Sequence, residues 1–75
     1  MKRYRKLNKD SGVYAYEIGR DNIKVQFNDG SVYLYTNVNT GKKNIEQMKK
    51  LATTGKGLTT YINIHVKEKY ALKVR

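Results

Sequence analysis

The sequence predicts an α+β fold: a three-stranded antiparallel sheet over residues 13–18, 22–27 and 31–36, packed against two helices over 41–53 and 58–69. Three observations lead there. Apolar and polar residues alternate through Ile23-Lys24-Val25-Gln26-Phe27, the period of a half-buried strand. Asn28-Asp29-Gly30 comes next and is a hairpin signal. Beyond Val38 the apolar residues fall three and four apart, the period of a helix face. A chain of 75 residues makes one domain with a small core.

Residues 1–10 are highly charged and have little periodicity, so they read as a flexible basic arm that Tyr4 or Leu7 could order. Residues 11–75 are the folded domain. Val13–Ile18 is rich in β-branched and aromatic residues and opens the sheet. Asp21-Asn22 makes the turn into the second strand, and Ser31–Thr36 is the returning strand of the hairpin. In the first helix Ile45, Met48, Leu51 and Ala52 share one stripe, opposite Lys42, Lys43, Glu46, Lys49 and Lys50. Glu46 and Lys50 stand at a favourable i,i+4 spacing. Thr40 or Asn44, the latter with Gln47 three residues on, could cap this helix, and Gly55 is its stop. Leu58–Tyr70 fits two periods. Leu58, Tyr61, Ile62, His65 and Val66 suit a helix face; Ile62, Ile64 and Val66 suit a strand. Its length and its 3–4 spacing favour the helix.

The hairpin admits two registers. A two-residue Asp29-Gly30 loop pairs Phe27 with Val32 and places Tyr33 and Tyr35 on the open face, beside Gln26 and Lys24. Such a surface is a stacking platform for single-stranded nucleic acid. A three-residue Asn28-Asp29-Gly30 loop, with Gly30 left-handed, pairs Val25 with Tyr33 and Ile23 with Tyr35, and turns the tyrosines into the core.

Charge sets the partner class. Sixteen Lys and Arg against six Asp and Glu leave a net charge of +10. The surplus lies at the two ends: residues 1–10 are net +4, 11–41 net −1, and 42–75 net +7. A field of this strength draws polyanions such as phosphate backbones, or an acidic protein. Solubility alone requires far less. Lys2, Arg3, Arg5 and Lys6 of the arm, and Lys42, Lys43, Lys49 and Lys50 of the helix, are the candidate phosphate contacts. The chain has no cysteine and one histidine, His65, with no second ligand or nucleophile spaced to join it. Its acids are scattered, and Gly55-Lys56-Gly57 lacks the phosphate-loop pattern. These features predict no catalytic residues, no metal and no cofactor. No apolar run approaches the roughly 20 residues of a membrane span, and a cytoplasmic location is expected.

One stretch of residues is familiar. Ile23-x-Val25-x-Phe27-x-x-Gly30-Ser31-x-Tyr33-x-Tyr35-x-x-Val38, and later Tyr61-Ile62-Asn63-x-x-Val66-Lys67 with Tyr70, resembles the KTSC domain. This is a small bacterial domain named for its occurrence at the C-terminus of some lysyl-tRNA synthetases. The resemblance covers residues 13–70. It departs from the family pattern at Asn39, where a proline is common, at Leu34, and in two extra residues between Gly57 and Tyr61. It implies an antiparallel sheet with packed helices, a helical 58–69 and inward-facing tyrosines, and hence the three-residue loop. It also implies that Phe27, Gly30, Tyr33, Tyr35, Val38, Tyr61, Asn63, Val66 and Tyr70 are structural. The association with a synthetase makes RNA the implied partner. The expected function is a small non-enzymatic basic module that binds RNA through Lys and Arg; the alternative is a module that binds an acidic protein.

Overall fold

The computed structural model describes residues 1–6 and 12–75. Its first helical layer and its sheet share one core. The strands are β1 (Lys2–Arg3), β2 (Val13–Ile18), β3 (Asn22–Phe27), β4 (Val32–Thr36) and β5 (Leu72–Lys73). All neighbours are antiparallel and lie in chain order, β1-β2-β3-β4-β5. Between β4 and β5 run α1 (Asn37–Thr40), α2 (Lys42–Thr54), α3 (Leu58–Tyr61) and a π-helical turn over Ile62–Val66. The α+β class and the antiparallel sheet are as expected. Among the described residues, however, the sheet has five strands rather than three, and the helices number three rather than two.

The hairpin takes the three-residue loop. Val25 pairs with Tyr33 and Ile23 with Tyr35. The Phe27 amide donates to the Ser31 carbonyl, and the Gly30 amide to the Phe27 carbonyl, both at 2.9 Å. Gly30 sits at φ +91°, a conformation that costs glycine nothing and other residues more. Asp29 stabilises the turn by accepting from the Ser31 amide at 2.9 Å and its hydroxyl at 2.6 Å. Tyr35 is consequently core, 1% exposed.

A bulge adjusts β2. Val13 opposes Phe27 and Ala15 opposes Gln26, so Tyr14 has no partner of its own in the ladder. The extra residue brings Val13 and Tyr16, three apart, onto the same buried face. Val13, Tyr16, Ile23, Val25 and Tyr35 then meet Ile45, Met48 and Ala52 of α2, and Leu58, Ile62 and Val66 beyond it. Each fully buried aliphatic here contributes about 1.5–3 kcal/mol. By parity, Glu17, Lys24, Gln26 and Leu34 face away from the helices.

Helix α2 carries the predicted stripe and ends where expected, with Gly55 left-handed at φ +86° and its amide bonded to the Leu51 carbonyl. Its start differs. Gly41 precedes it without a side-chain cap. Thr40 instead closes α1 and donates its hydroxyl to the Lys69 carbonyl at 2.6 Å. Asn44 donates to the Thr40 carbonyl at 2.8 Å and accepts the Tyr61 hydroxyl at 2.6 Å, which ties α2 to α3. Glu46 pairs with Lys49 at 3.6 Å, not with Lys50. The predicted helix over 58–69 shortens to α3 and the π turn. The β-branched Ile62, Ile64 and Val66 crowd a regular helix, and the chain leaves the turn at Lys67, whose φ of +26° no helix continues through.

The first six residues are anchored rather than loose. β1 pairs with β2 through Lys2–Tyr16 and Arg3–Ala15. Tyr4 is 4% exposed, and its hydroxyl accepts the Leu58 amide at 3.2 Å. The physical cause is that one aromatic with a polar tip fills the core and meets an unpaired amide in the first turn of α3. Leu7 and the remainder of the expected arm, residues 7–10, lie outside the described residues.

Candidate nucleic-acid interface

The eight cations singled out in the sequence do not form one patch. Arg3 lies over the Tyr14 ring, 4.4 Å from its centroid. Lys6 approaches the same ring from 5.5 Å and donates to the Asn28 side chain at 2.7 Å. Arg5 runs across Gly55 at the far end of α2, where an added Cβ would come within 2.6 Å of the Arg5 Cβ. Lys42 and Lys43 are exposed at the opposite end of that helix. Thirteen residues at about 1.5 Å rise place these ends roughly 20 Å apart. Lys49 is half-buried and engaged, donating to the Arg20 carbonyl at 2.9 Å beside Glu46. Lys2 and Lys50 are exposed. Among the described residues, Arg5 lies at the end of α2 away from Lys42 and Lys43, and Lys49 serves the fold.

Most of the described cations nonetheless stand outside ion pairs. Among the described residues, only Lys24 (to Glu17, 3.8 Å) and Lys49 stand in ion pairs. No group of three or more His, Cys, Asp or Glu residues is positioned to hold a metal among the described residues. His65 is exposed and rests on the Tyr61 ring at 4.4 Å. No described helix is long and apolar enough to cross a membrane.

The residues of the family-like motif behave differently from the cations. Phe27, Tyr33, Tyr35, Asn63 and Tyr70 converge on one open cleft of about 490 Å³, between the β3–β4 hairpin tip and the π turn. Lys67 and Glu68 complete its rim. Phe27 meets Tyr33 at 5.7 Å and 79°, and Tyr33 meets Tyr70 at 4.7 Å and 65°. Burial, with the neighbouring Tyr33 and Tyr70 hydroxyls, pushes the Tyr35 phenol up to about 12. The hydrogen bonds from Ser31 hold the Asp29 carboxyl below the usual range. Gly30 makes the hairpin, Val66 is core, and Tyr61 is bonded to Asn44. Val38 is the exception. It was expected to be structural, yet it is 94% exposed, because the single surface turn of α1 points it away from every other element.

Sequence reasoning missed this cleft as a site. Lys6, Lys67, Lys73 and Arg75 come near it only through the tertiary fold. The one local signal was Lys67 and Tyr70 lying within the motif that also holds Asn63. Comparison with family models, with curated proteins and with solved structures finds no match to this chain.

Proposed function

We propose that this chain is a non-enzymatic basic module, a divergent relative of the KTSC domain, that binds nucleic acid, and RNA in particular, by neutralising phosphates with Lys and Arg. The observation that carries the reading is the uncompensated charge. Net +10 on 75 residues, with just two ion pairs among the described residues, leaves cations exposed around the sheet edges and the helix ends. Lys2, Arg3, Arg5, Lys6, Lys42, Lys43 and Lys50 are the phosphate contacts in this reading. Because they are spread along the surface, contact is with a backbone that tracks across the molecule, and sequence preference is weak.

The test is a titration of labelled RNA at two salt concentrations. If about six phosphates are neutralised, log K falls against log salt with a slope near −5 on a duplex and −4 on a single strand. A flat response, or no binding at low salt, overturns the reading. Retention of a partner from extract after exhaustive nuclease treatment would favour the acidic-protein alternative instead.

A further inference from the structure

The aromatic cleft has a composition that phosphate binding does not use. Three half-buried rings, Phe27, Tyr33 and Tyr70, line it, and no two of those in contact are parallel. In each of these edge-to-face pairs one side of one ring is covered by the other's edge, and the opposite side of that ring is left uncovered by the contact. Its volume, about 490 Å³, falls within the range of roughly 300–1,000 Å³ typical of small-ligand sites. Asn63 supplies both a donor and an acceptor at the wall, as reading the edge of a base requires.

Cations flank these rings. Lys67 stands on the rim with its backbone at a positive φ of +26°, held by its amide bonding back to the Ile62 carbonyl at 2.6 Å. A non-glycine residue kept in such a conformation is a mark of ligand clamps. A second hollow, of about 420 Å³, adjoins the cleft through Asp29 and Ser31 and is lined by Lys73 and Arg75. Lys73 approaches the Tyr33 ring to 5.8 Å. Two carboxylates share these walls: Asp29, whose Oδ1 accepts both bonds from Ser31, and Glu68 on the cleft rim.

Flat apolar faces, an amide at the wall and cations on either side together select an anionic ligand with an aromatic ring. A neutral sugar would gain nothing from the charge, and an acidic peptide would leave the rings unused. We infer that the cleft binds an unpaired nucleotide of a single strand, with its base against Tyr33 and Tyr70 and its phosphates on Lys67 and in the Lys73–Arg75 hollow. The inference rests on the nucleic-acid reading above and narrows it, since a duplex keeps its base faces inside its own stack.

The experiment uses the full chain and three probes at low salt: a ten-residue adenylate oligomer, an RNA duplex of equal charge, and heparin. The oligomer is expected to bind more tightly than the duplex. Tyr33→Ala and Tyr70→Ala should each weaken the oligomer about 5- to 150-fold, the effect of removing a stacked aromatic, while Tyr33→Phe retains it. Heparin affinity should be unchanged in all three variants. Should the alanine variants fail to fold, amide shifts of the unaltered protein decide: the oligomer should move Ser31, Asn63 and Lys67 ahead of Lys42 and Lys43. Equal affinity for oligomer and duplex, or shifts confined to α2, overturns the cleft while leaving phosphate binding intact. No binding of any probe overturns both.

Discussion

Replacing Tyr4 tests whether the N-terminal segment belongs to the fold. The side chain is 4% exposed, and its hydroxyl accepts the Leu58 amide. Truncating a buried aromatic to alanine costs about 3–5 kcal/mol. A domain of this length has a total stability of only about 4–11 kcal/mol. Tyr4→Ala should therefore remove much of it and lower Tm by at least roughly 12 °C, at about 4–8 °C per kcal/mol. Tyr4→Phe isolates the hydroxyl. It leaves the Leu58 amide without that acceptor at a cost of about 1–2 kcal/mol, or roughly 4–16 °C. Deleting residues 1–5 should cost at least as much as Tyr4→Ala, because β1 and the Arg5 contact on Gly55 leave with the ring. The assay is thermal melting by circular dichroism, with urea titrations to check that the m-value holds. If Tyr4→Ala and the truncated chain melt at the wild-type temperature, the segment is not part of the cooperative unit and its anchoring is refuted.

Three other outcomes follow from the same geometry. Gly55→Ala should destabilise by more than about 1 kcal/mol in urea titrations, since φ is +86° and the new Cβ would sit 2.6 Å from the Arg5 Cβ. Tyr35 has a raised folded pKa, so its contribution is fully present below the unfolded value near 10 and is lost as pH climbs from there toward about 12. Melts at pH 9 and pH 11 should therefore differ more for wild type than for Tyr35→Phe. Lys67→Gly should raise stability by about 1 kcal/mol, strain release of about 1–3 kcal/mol exceeding the roughly 0.5–1 kcal/mol entropy cost of glycine. The same variant should bind the adenylate oligomer more weakly; an unchanged or lower Tm would show that Lys67 is not strained.

What the sequence made legible was local. The β2–β4 strands, the turn at Gly30 and the Ile45–Met48–Ala52 stripe each carry their own period or turn residue. The two edge strands carry none. Lys2–Arg3 and Leu72–Lys73 are two-residue pairs of exposed side chains, and they become strands only through partners such as Tyr16 and Leu34. The bulge at Tyr14 was equally silent, since nothing at that position distinguishes a paired tyrosine from an unpaired one. Over 58–69 both periods fitted, and the chain took the helical one through Val66, with its second half as a π turn. The cleft was illegible for a different reason. Lys67, Tyr70, Lys73 and Arg75 share one window, but Phe27 and Tyr33 come from β3 and β4 and Lys6 from the N-terminal segment, and only the fold brings them together.

The edge strands also fix where the sheet stops. An open strand is a template on which another chain can add. Here one outer margin presents Lys2 and Arg3 and the other Lys73, with Arg75 beyond it. Two copies brought margin to margin would oppose cation to cation, so growth by strand addition is self-limiting. The residues that lengthen the sheet at each flank are the ones that keep it from being lengthened further.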